Sequence, residues 1–180
     1  MNKIRMIALA ACMAATLDAS AQEQEIRLFS HRGGRMEHDE NTLSAFQASY
    51  DAGYRGFETD IRMTRDGALV ITHDSSLERT TDGTGTVEEK TEAEIRRLRT
   101  KQGNKVLFLD ELLEFLEGKE GLYVEFEMKT KPEVLYPEER LHAYCDKLYD
   151  AVMAVKPADA TFVFTSGDYR GLRYLQAKHP

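Results

Sequence analysis

The fold is decided by the segment that runs from Ser30 to Asp74. Its three informative pieces are, in order, Ser30-His31-Arg32-Gly33-Gly34, Phe57-Glu58-Thr59-Asp60-Ile61 and Val70-Ile71-Thr72-His73-Asp74. In these pieces, short apolar runs meet histidine, arginine and acidic residues, and such a run predicts a strand whose polar end turns into a loop. Two histidines on either side of a carboxylate pair are the side chains that a metal-assisted acid–base site needs.

The rest of the sequence places this segment in an α/β domain. Strands are predicted at residues 26–30, 56–61, 68–72, 122–129 and 160–165, and helices at 42–52, 92–99, 109–116, 137–155 and 168–177. Long helical connections between strands favour parallel pairing, so we expect a parallel sheet. The strand at 68–72 follows a tight Thr-Arg-Asp-Gly turn, and we expect it to be an excursion that delivers His73.

The first 21 residues have the pattern of a secretory signal peptide. Lys3 and Arg5 precede an apolar run at 6–17 that is too short to span a membrane, and Ala19-Ser20-Ala21 is a small-residue cleavage site. We therefore expect cleavage after Ala21, one domain at residues 22–180, and a periplasmic or secreted protein. Lipoprotein anchoring through Cys12 is the weaker alternative, because the apolar stretch continues past that cysteine.

Composition narrows the class of partner. The chain has a formal charge of −7 and no basic cluster, which argues against nucleic acid. Only Cys145 follows residue 21, so no intrachain disulfide is expected despite the oxidising compartment.

Paired acids lie on two of the predicted strands. Glu58 and Asp60 are two residues apart, so both project from one face of their strand, and Glu125, Glu127 and Lys129 repeat this arrangement. A half-exposed strand with a solvated face gives the same pattern. In a parallel barrel, however, such acids point inward and must be paired or bind a metal. An excess of carboxylates favours a hard divalent cation, Mg²⁺ or Ca²⁺, whereas zinc prefers histidine and cysteine.

His31 and His73 each close a predicted strand beside these acids, which favours acid–base roles for both. Arg32 and Lys129 supply positive charge where a phosphate would bind, although simple charge balance for the acids stays open for either one. Structural roles are expected for the remaining polar candidates: Asn41 as the N-cap of the first helix, Arg79 as an anchor of its loop, and His38, His142 and His179 as ordinary histidines.

The motifs, taken in order, resemble those of the glycerophosphodiester phosphodiesterases. They are His-Arg-Gly at 31–33, Glu-Asn-Thr at 40–42, Glu-Thr-Asp at 58–60, Thr-Arg-Asp-Gly at 64–67, Thr-His-Asp at 72–74, Arg-Thr-Thr-Asp-Gly-Thr-Gly at 79–85 and Glu-Met-Lys at 127–129. Each motif is short, but their combination is specific and covers residues 29–129. The chain departs from the family pattern at Asp39, where a proline is usual, and at Leu107-Phe108, where Pro-Thr is usual.

The resemblance implies a TIM (β/α)₈ barrel with its site at the carboxyl ends of the strands. Four predicted strands suit the parallel set, so the chain is expected to hold the N-terminal half of such a barrel, about four strand–helix units, and to be truncated. The implied site has His31 and His73 as the acid–base pair and a Ca²⁺ or Mg²⁺ ion as cofactor. Its implied metal ligands are Glu58, Asp60 and Glu127, and its implied phosphate contacts are Arg32 and Lys129.

The implied function is exported, metal-dependent hydrolysis of small-molecule glycerophosphodiesters to glycerol 3-phosphate and an alcohol, with no stable membrane span. Two alternatives stay open. One is a phospholipid-directed phosphodiesterase of the sphingomyelinase D type, which would use the same histidines and acids. The other is a non-catalytic fragment or binding module that lacks the second half of the barrel.

Overall fold

The protein is built on a sheet of four parallel strands and one antiparallel strand. The structure is a computed structural model that describes residues 27–180, and the predicted signal peptide at residues 1–21 lies outside them. The strands are β1 (Phe29–His31), β2 (Gly56–Met63), β3 (Leu69–Ile71), β4 (Tyr123–Met128) and β5 (Thr161–Thr165). The parallel strands follow the order β1-β2-β4-β5, while β3 pairs with β2 in the antiparallel sense. This arrangement confirms the predicted α/β organisation.

Helices connect the parallel strands. They are α1 (Leu43–Asp51), α2 (Glu92–Arg96), α3 (Leu109–Leu116), α4 (Glu138–Val155) and α5 (Tyr169–Lys178), with short 3₁₀ turns at Val87–Glu89 and Glu133–Leu135. Each predicted helix is present, and α2 ends three residues earlier than expected. Within residues 27–180, no helix combines the length and the apolar character needed to cross a membrane.

The alternation along β2 separates the core from the polar side of the sheet. Phe57 and Ile61 are fully buried in one hydrophobic cluster with residues of the helices, among them Leu112 of α3 and Tyr144 of α4. Burying a side chain of this size stabilises the fold by about 1.5–3 kcal/mol. Because neighbouring residues of a strand project to opposite faces, Asp60 lies on the other side of the sheet from this core.

Strand β3 pairs with the second half of the same edge of β2 whose first half pairs with β1. β1 ends at His31, which is aligned with Glu58, and β3 pairs with β2 from Ile61 onward. The amide of Thr72 continues this pairing by donating to the carbonyl of Asp60 at 2.9 Å. β1 and β3 therefore run towards each other along one edge of β2, and their ends bring His31 and His73 to the same place.

The start of α1 differs from the sequence prediction. Thr42, not Asn41, is the N-cap residue, and its hydroxyl accepts a hydrogen bond from the amide of Ala45 at 3.3 Å. The capping role predicted for Asn41 was wrong, because Asn41 has a left-handed backbone, with φ of 56°, that turns its side chain elsewhere. Its amide group donates to Asp60, so this residue belongs to the polar site.

Candidate active site

Three carboxylates converge at the centre of the sheet. We call Glu58, Asp60 and Glu127 the acid cluster. Asp60 is aligned with Glu127 across the β2–β4 pair, so the parallel register itself brings these two side chains together. One oxygen from each of the three carboxylates lies within 4.8 Å of the others. Oxygens this close can share one cation.

Asp60 is the buried centre of the acid cluster, with no exposed surface. Its Oδ2 accepts a hydrogen bond from Asn41 at 2.9 Å and lies 3.3 Å from Nε of Arg32. Its Oδ1 is also buried but accepts no hydrogen bond from residues 27–180, and Nζ of Lys129 is 3.6 Å away. A buried carboxylate oxygen without a hydrogen bond is costly unless another ligand meets it.

The backbone before α1 adopts a left-handed conformation at the two residues whose side chains contact Asp60. Arg32 and Asn41 are both left-handed, with φ of 54° and 56°, although neither is glycine. The amide of Asn41 donates to the carbonyl of Arg32 at 2.8 Å, which ties the two residues together. Gly33 lies between them, and a Cβ there would come within 2.9 Å of the Cβ of Ala45. Such backbone strain concentrates at functional sites.

The surroundings of Glu58 shift its pKa. Its burial, followed by the negative charge of Asp60, raises the pKa of Glu58 to about 7. The backbone amide of Arg32 donates to its Oε2 at 3.1 Å and works in the opposite direction, while Glu127 adds to the rise. A cation at this position would favour the ionised form of Glu58.

His31 flanks the acid cluster from the end of β1. Its Nε2 lies 3.6 Å from Oε2 of Glu58, and half of its side chain is exposed. Partial burial lowers the pKa of His31, and the positive charges of Arg32 and Arg35 lower it further. A neutral imidazole with one exposed edge can exchange protons with a bound molecule.

His73 is held by a chain of polar contacts through Asp74, Arg79 and Glu40. Its Nδ1 lies 2.6 Å from Oδ1 of Asp74. Asp74 also pairs with Arg79, which donates twice to Glu40, at 2.7 and 2.9 Å. Burial alone would raise the pKa of Asp74, but the hydrogen bonds from Arg79 and His73 outweigh it and lower that pKa to about 2. Asp74 is therefore ionised at neutral pH and fixes the orientation of the imidazole.

Arg32 and Lys129 are engaged with acids in this structure. Arg32 is buried and contacts Glu40 at 3.3 Å as well as Asp60. Nζ of Lys129 donates to Oε1 of Glu127 at 3.0 Å. These contacts balance charge within the site, and the phosphate-binding role of both residues stays a prediction.

The residues of the acid cluster fit a hard divalent cation. All three candidate ligands are carboxylates, they face one another, and the buried Oδ1 of Asp60 has unused capacity. Ca²⁺ and Mg²⁺ prefer oxygen ligands, and zinc sites contain more histidine or cysteine.

The structure thus brings all seven predicted site residues together, namely His31, Arg32, Glu58, Asp60, His73, Glu127 and Lys129. The sequence prediction missed the polar partners of these residues: Asn41 on Asp60, Asp74 on His73, and Arg79 with Glu40 between the two halves of the site. Three motifs were the available signal for them: Glu-Asn-Thr contains Glu40 and Asn41, Thr-His-Asp ends at Asp74, and Arg-Thr-Thr begins at Arg79.

Most of the chain matches the sequences of known proteins. Residues 31–180 match the sequence profile of the Glycerophosphoryl diester phosphodiesterase family. The chain is 37% identical over 123 residues to the glycerophosphodiester phosphodiesterase of Caldanaerobacter subterraneus subsp. tengcongensis, and the match covers 63% of this chain and 50% of that one. The chain therefore spans about half the length of this relative and of the glycerophosphodiester phosphodiesterase of Bacillus altitudinis, which it also matches.

Solved structures of similar proteins have the same fold. The glycerophosphodiester phosphodiesterase from Agrobacterium tumefaciens str. C58 matches with a TM-score of 0.70 at 28% identity, over 87% of this chain and 64% of that one. A phosphodiesterase from Oleispira antarctica, solved in complex with the product sn-glycerol 3-phosphate, matches with a TM-score of 0.75 at 26% identity, over 86% and 63%. The likeness confirms that the sheet is part of a TIM barrel, as the sequence implied.

Proposed function

The chain belongs to the glycerophosphoryl diester phosphodiesterase family, and from that membership we propose that the protein hydrolyses glycerophosphodiesters to glycerol 3-phosphate and an alcohol. One observation carries the proposal. The acid cluster lies beside the ends of β1 and β3, where the chain places His31 and His73, so the acids and the proton-transfer groups are close to one another.

The two histidines would perform the proton transfers. One histidine would take the proton of a glycerol hydroxyl as its oxygen attacks phosphorus. As the new phosphorus–oxygen bond forms, the bond to the alcohol breaks, and the other histidine, in its protonated form, would give its proton to the departing oxygen. The hydrogen bond of Nδ1 of His73 to Asp74 leaves Nε2 of His73 available for either role. Water then opens the cyclic phosphate with the roles of the histidines exchanged, by microscopic reversibility.

Charge around the phosphate would be balanced by the remaining site residues. Arg32 and Lys129 line the acid cluster and would contact the phosphate oxygens once substrate binds. Glu58, Asp60 and Glu127 would hold the divalent cation, which supplies neutralisation of the negative charge that develops in the transition state.

The proposal is tested by assaying the release of glycerol 3-phosphate from glycerophosphocholine and glycerophosphoethanolamine. We expect turnover by the wild-type protein, and a loss of about 10²–10⁴-fold in His31→Ala and in His73→Ala, which is the usual contribution of a general acid or base. His142→Ala is the matched control, because His142 lies on α4 and stacks on Tyr174 at 3.9 Å.

Three outcomes would contradict parts of this proposal. Near-normal turnover in either histidine variant would refute the two-histidine mechanism. Choline release from sphingomyelin, without turnover of glycerophosphodiesters, would favour the sphingomyelinase D type of activity. Binding of glycerol 3-phosphate with no turnover of any diester would favour a binding module.

We also propose that the protein is exported, since residues 1–21 carry the signal-peptide pattern. The mass of the protein recovered from the periplasm or the medium should correspond to a chain that begins at Gln22. A mature chain that retains Met1 would contradict export through this peptide.

A further inference from the structure

A second buried charged group lies beside the acid cluster on the same face of β2. Arg62 is two residues beyond Asp60, and its side chain is 7% exposed. Its Nη1 donates to Oε1 of Glu88 at 2.8 Å, and the side chain of Glu88 is 3% exposed. Both charges of this ion pair are therefore removed from solvent.

The guanidinium of Arg62 also binds the backbone of two loops. Its Nε donates to the carbonyl of His73 at 3.0 Å, and its Nη1 reaches the carbonyls of Lys129 at 3.1 Å and Lys131 at 3.3 Å. One of these loops carries His73, and the other carries Lys129 and follows Glu127. A single side chain thus fixes the distance between the two loops.

Glu88 completes this arrangement from its other side. Its Oε2 accepts a hydrogen bond from Ser75 at 2.7 Å, and its Oε1 accepts one from the hydroxyl of Tyr136 at 3.1 Å. Ser75 lies in the same turn as His73, so that turn is held by Arg62 and by Glu88. We call Arg62, Glu88, Ser75 and Tyr136 the Arg62 network.

We propose that Arg62 is a positioning residue that sets the place of His73 relative to Lys129, an inference that rests on the proposed function. Its burial and its hydrogen bonds to carbonyls make it unsuitable as a phosphate contact. A buried ion pair is often no more stabilising than well-packed apolar residues of similar volume, so stability alone is a weak reason for its presence. A misplacement of about 1 Å can cost about 10²-fold in rate.

Arg62→Lys is the variant that tests this role. Lysine keeps the positive charge beside Glu88 but cannot span Glu88 and three carbonyls with one nitrogen. We expect kcat for glycerophosphoethanolamine, normalised to folded protein, to fall by about 10²-fold while KM changes little.

Arg140→Lys is the matched control. Arg140 also donates to two backbone carbonyls, those of Met63 at 3.0 Å and Thr64 at 2.9 Å, but it holds neither loop of the site. Its variant should keep the wild-type kcat. Equal kcat in wild type and Arg62→Lys would overturn the proposal.

A readout that does not depend on turnover separates this inference from the proposed function. In protein with isotope-labelled histidines, the imidazole signals of His73 should shift in Arg62→Lys and stay in place in Arg140→Lys, while those of His142 stay in both. If the wild-type protein hydrolyses no diester, the proposed function fails and this experiment still decides the positioning role. An unmoved His73 signal in folded Arg62→Lys overturns it.

Ser75→Ala covers the case in which Arg62→Lys does not fold. It removes only the hydroxyl by which Glu88 holds the His73 turn, so it should lower kcat and shift the His73 signal in the same direction but by less. No change in either quantity would overturn the proposal.

Discussion

Asp60 of the acid cluster and Arg62 of the Arg62 network lie two residues apart on one face of β2. The charged side chains of the two groups nevertheless differ in how many hydrogen bonds they make. In the acid cluster, a buried oxygen of Asp60 accepts no hydrogen bond from residues 27–180, and three carboxylates crowd together. In the Arg62 network, both oxygens of Glu88 accept hydrogen bonds and the guanidinium meets an acid and three carbonyls. The difference indicates that a buried oxygen without a hydrogen bond marks a place for a ligand, whereas a buried charge that already meets an acid and several carbonyls holds structure.

Metal removal is the strongest test of this contrast. Dialysis against a chelator should abolish diesterase activity and leave the protein folded, because the cation would meet only the acid cluster. Ca²⁺ or Mg²⁺ should restore activity better than Zn²⁺, since the ligands are carboxylates. Activity is followed by glycerol 3-phosphate release and folding by circular dichroism. Full activity in excess chelator would contradict the idea that the acid cluster, unlike the Arg62 network, binds a ligand that the reaction needs.

Truncation of Glu88 should affect stability rather than the cation. Glu88→Ala leaves the buried guanidinium of Arg62 without its acid, and breaking such a pair typically costs about 3–5 kcal/mol. Urea denaturation measures this loss of unfolding free energy.

Glu127→Gln is the comparison variant for Glu88→Ala. It should weaken the binding of Ca²⁺ and change the unfolding free energy by less than about 1 kcal/mol, because the Glu127 side chain is 30% exposed and its pair with Lys129 is near the surface. Equal destabilisation by the two variants would contradict the contrast.

The pH dependence of the metal-free protein gives the smallest expected effect. The pKa of Glu58, about 7 in the folded protein, lies above its ordinary value of 4.5. Its proton therefore contributes stability that is fully present below about pH 4.5 and is lost as pH rises through 7.

In chelator, the loss of this contribution should lower the melting temperature by a few degrees as the pH is raised from 5 to 8. Glu58→Gln should reduce the decrease, and Glu114→Gln, on the exposed surface of α3, should not. Added Ca²⁺ should restore the melting temperature at pH 8. The same decrease in wild type and Glu58→Gln would show that Glu58 is not its source.

Much of the fold could be predicted because its signals are local. The alternation of Phe57, Glu58, Thr59, Asp60 and Ile61 predicts both the strand and its polar face, and the Asp-Gly turn at 66–67 predicts the antiparallel excursion. The four strands that the sequence predicts to be parallel are the four parallel strands of the structure.

Most of the polar partners inside the site could not be paired from the sequence because they are far apart in it, although Asp74 directly follows His73. Glu88 is 26 residues from Arg62 and lies in a 3₁₀ turn without periodicity, and Glu40 is 39 residues from Arg79. Arg62 lies two residues after Asp60, so the sequence predicts that its side chain is on the same face of β2 as Glu58 and Asp60. Its hydrogen bonds to the two loops of the site could not be predicted. The N-cap was misplaced because Asn41 and Thr42 both suit a cap, and only the tertiary contact with Asp60 decides between them.

The antiparallel pairing of β3 makes the site unequally tolerant of insertions and deletions. The bond from Thr72 to Asp60 fixes the register of the β2–β3 hairpin, so a length change in the turn at 64–67 need not move His73 along the edge of β2. A deletion of one residue within 68–72 has another result, because the side chains of a strand alternate and a shift of one position exchanges its faces. His73 would then be carried away from the acid cluster while the barrel strands kept their places.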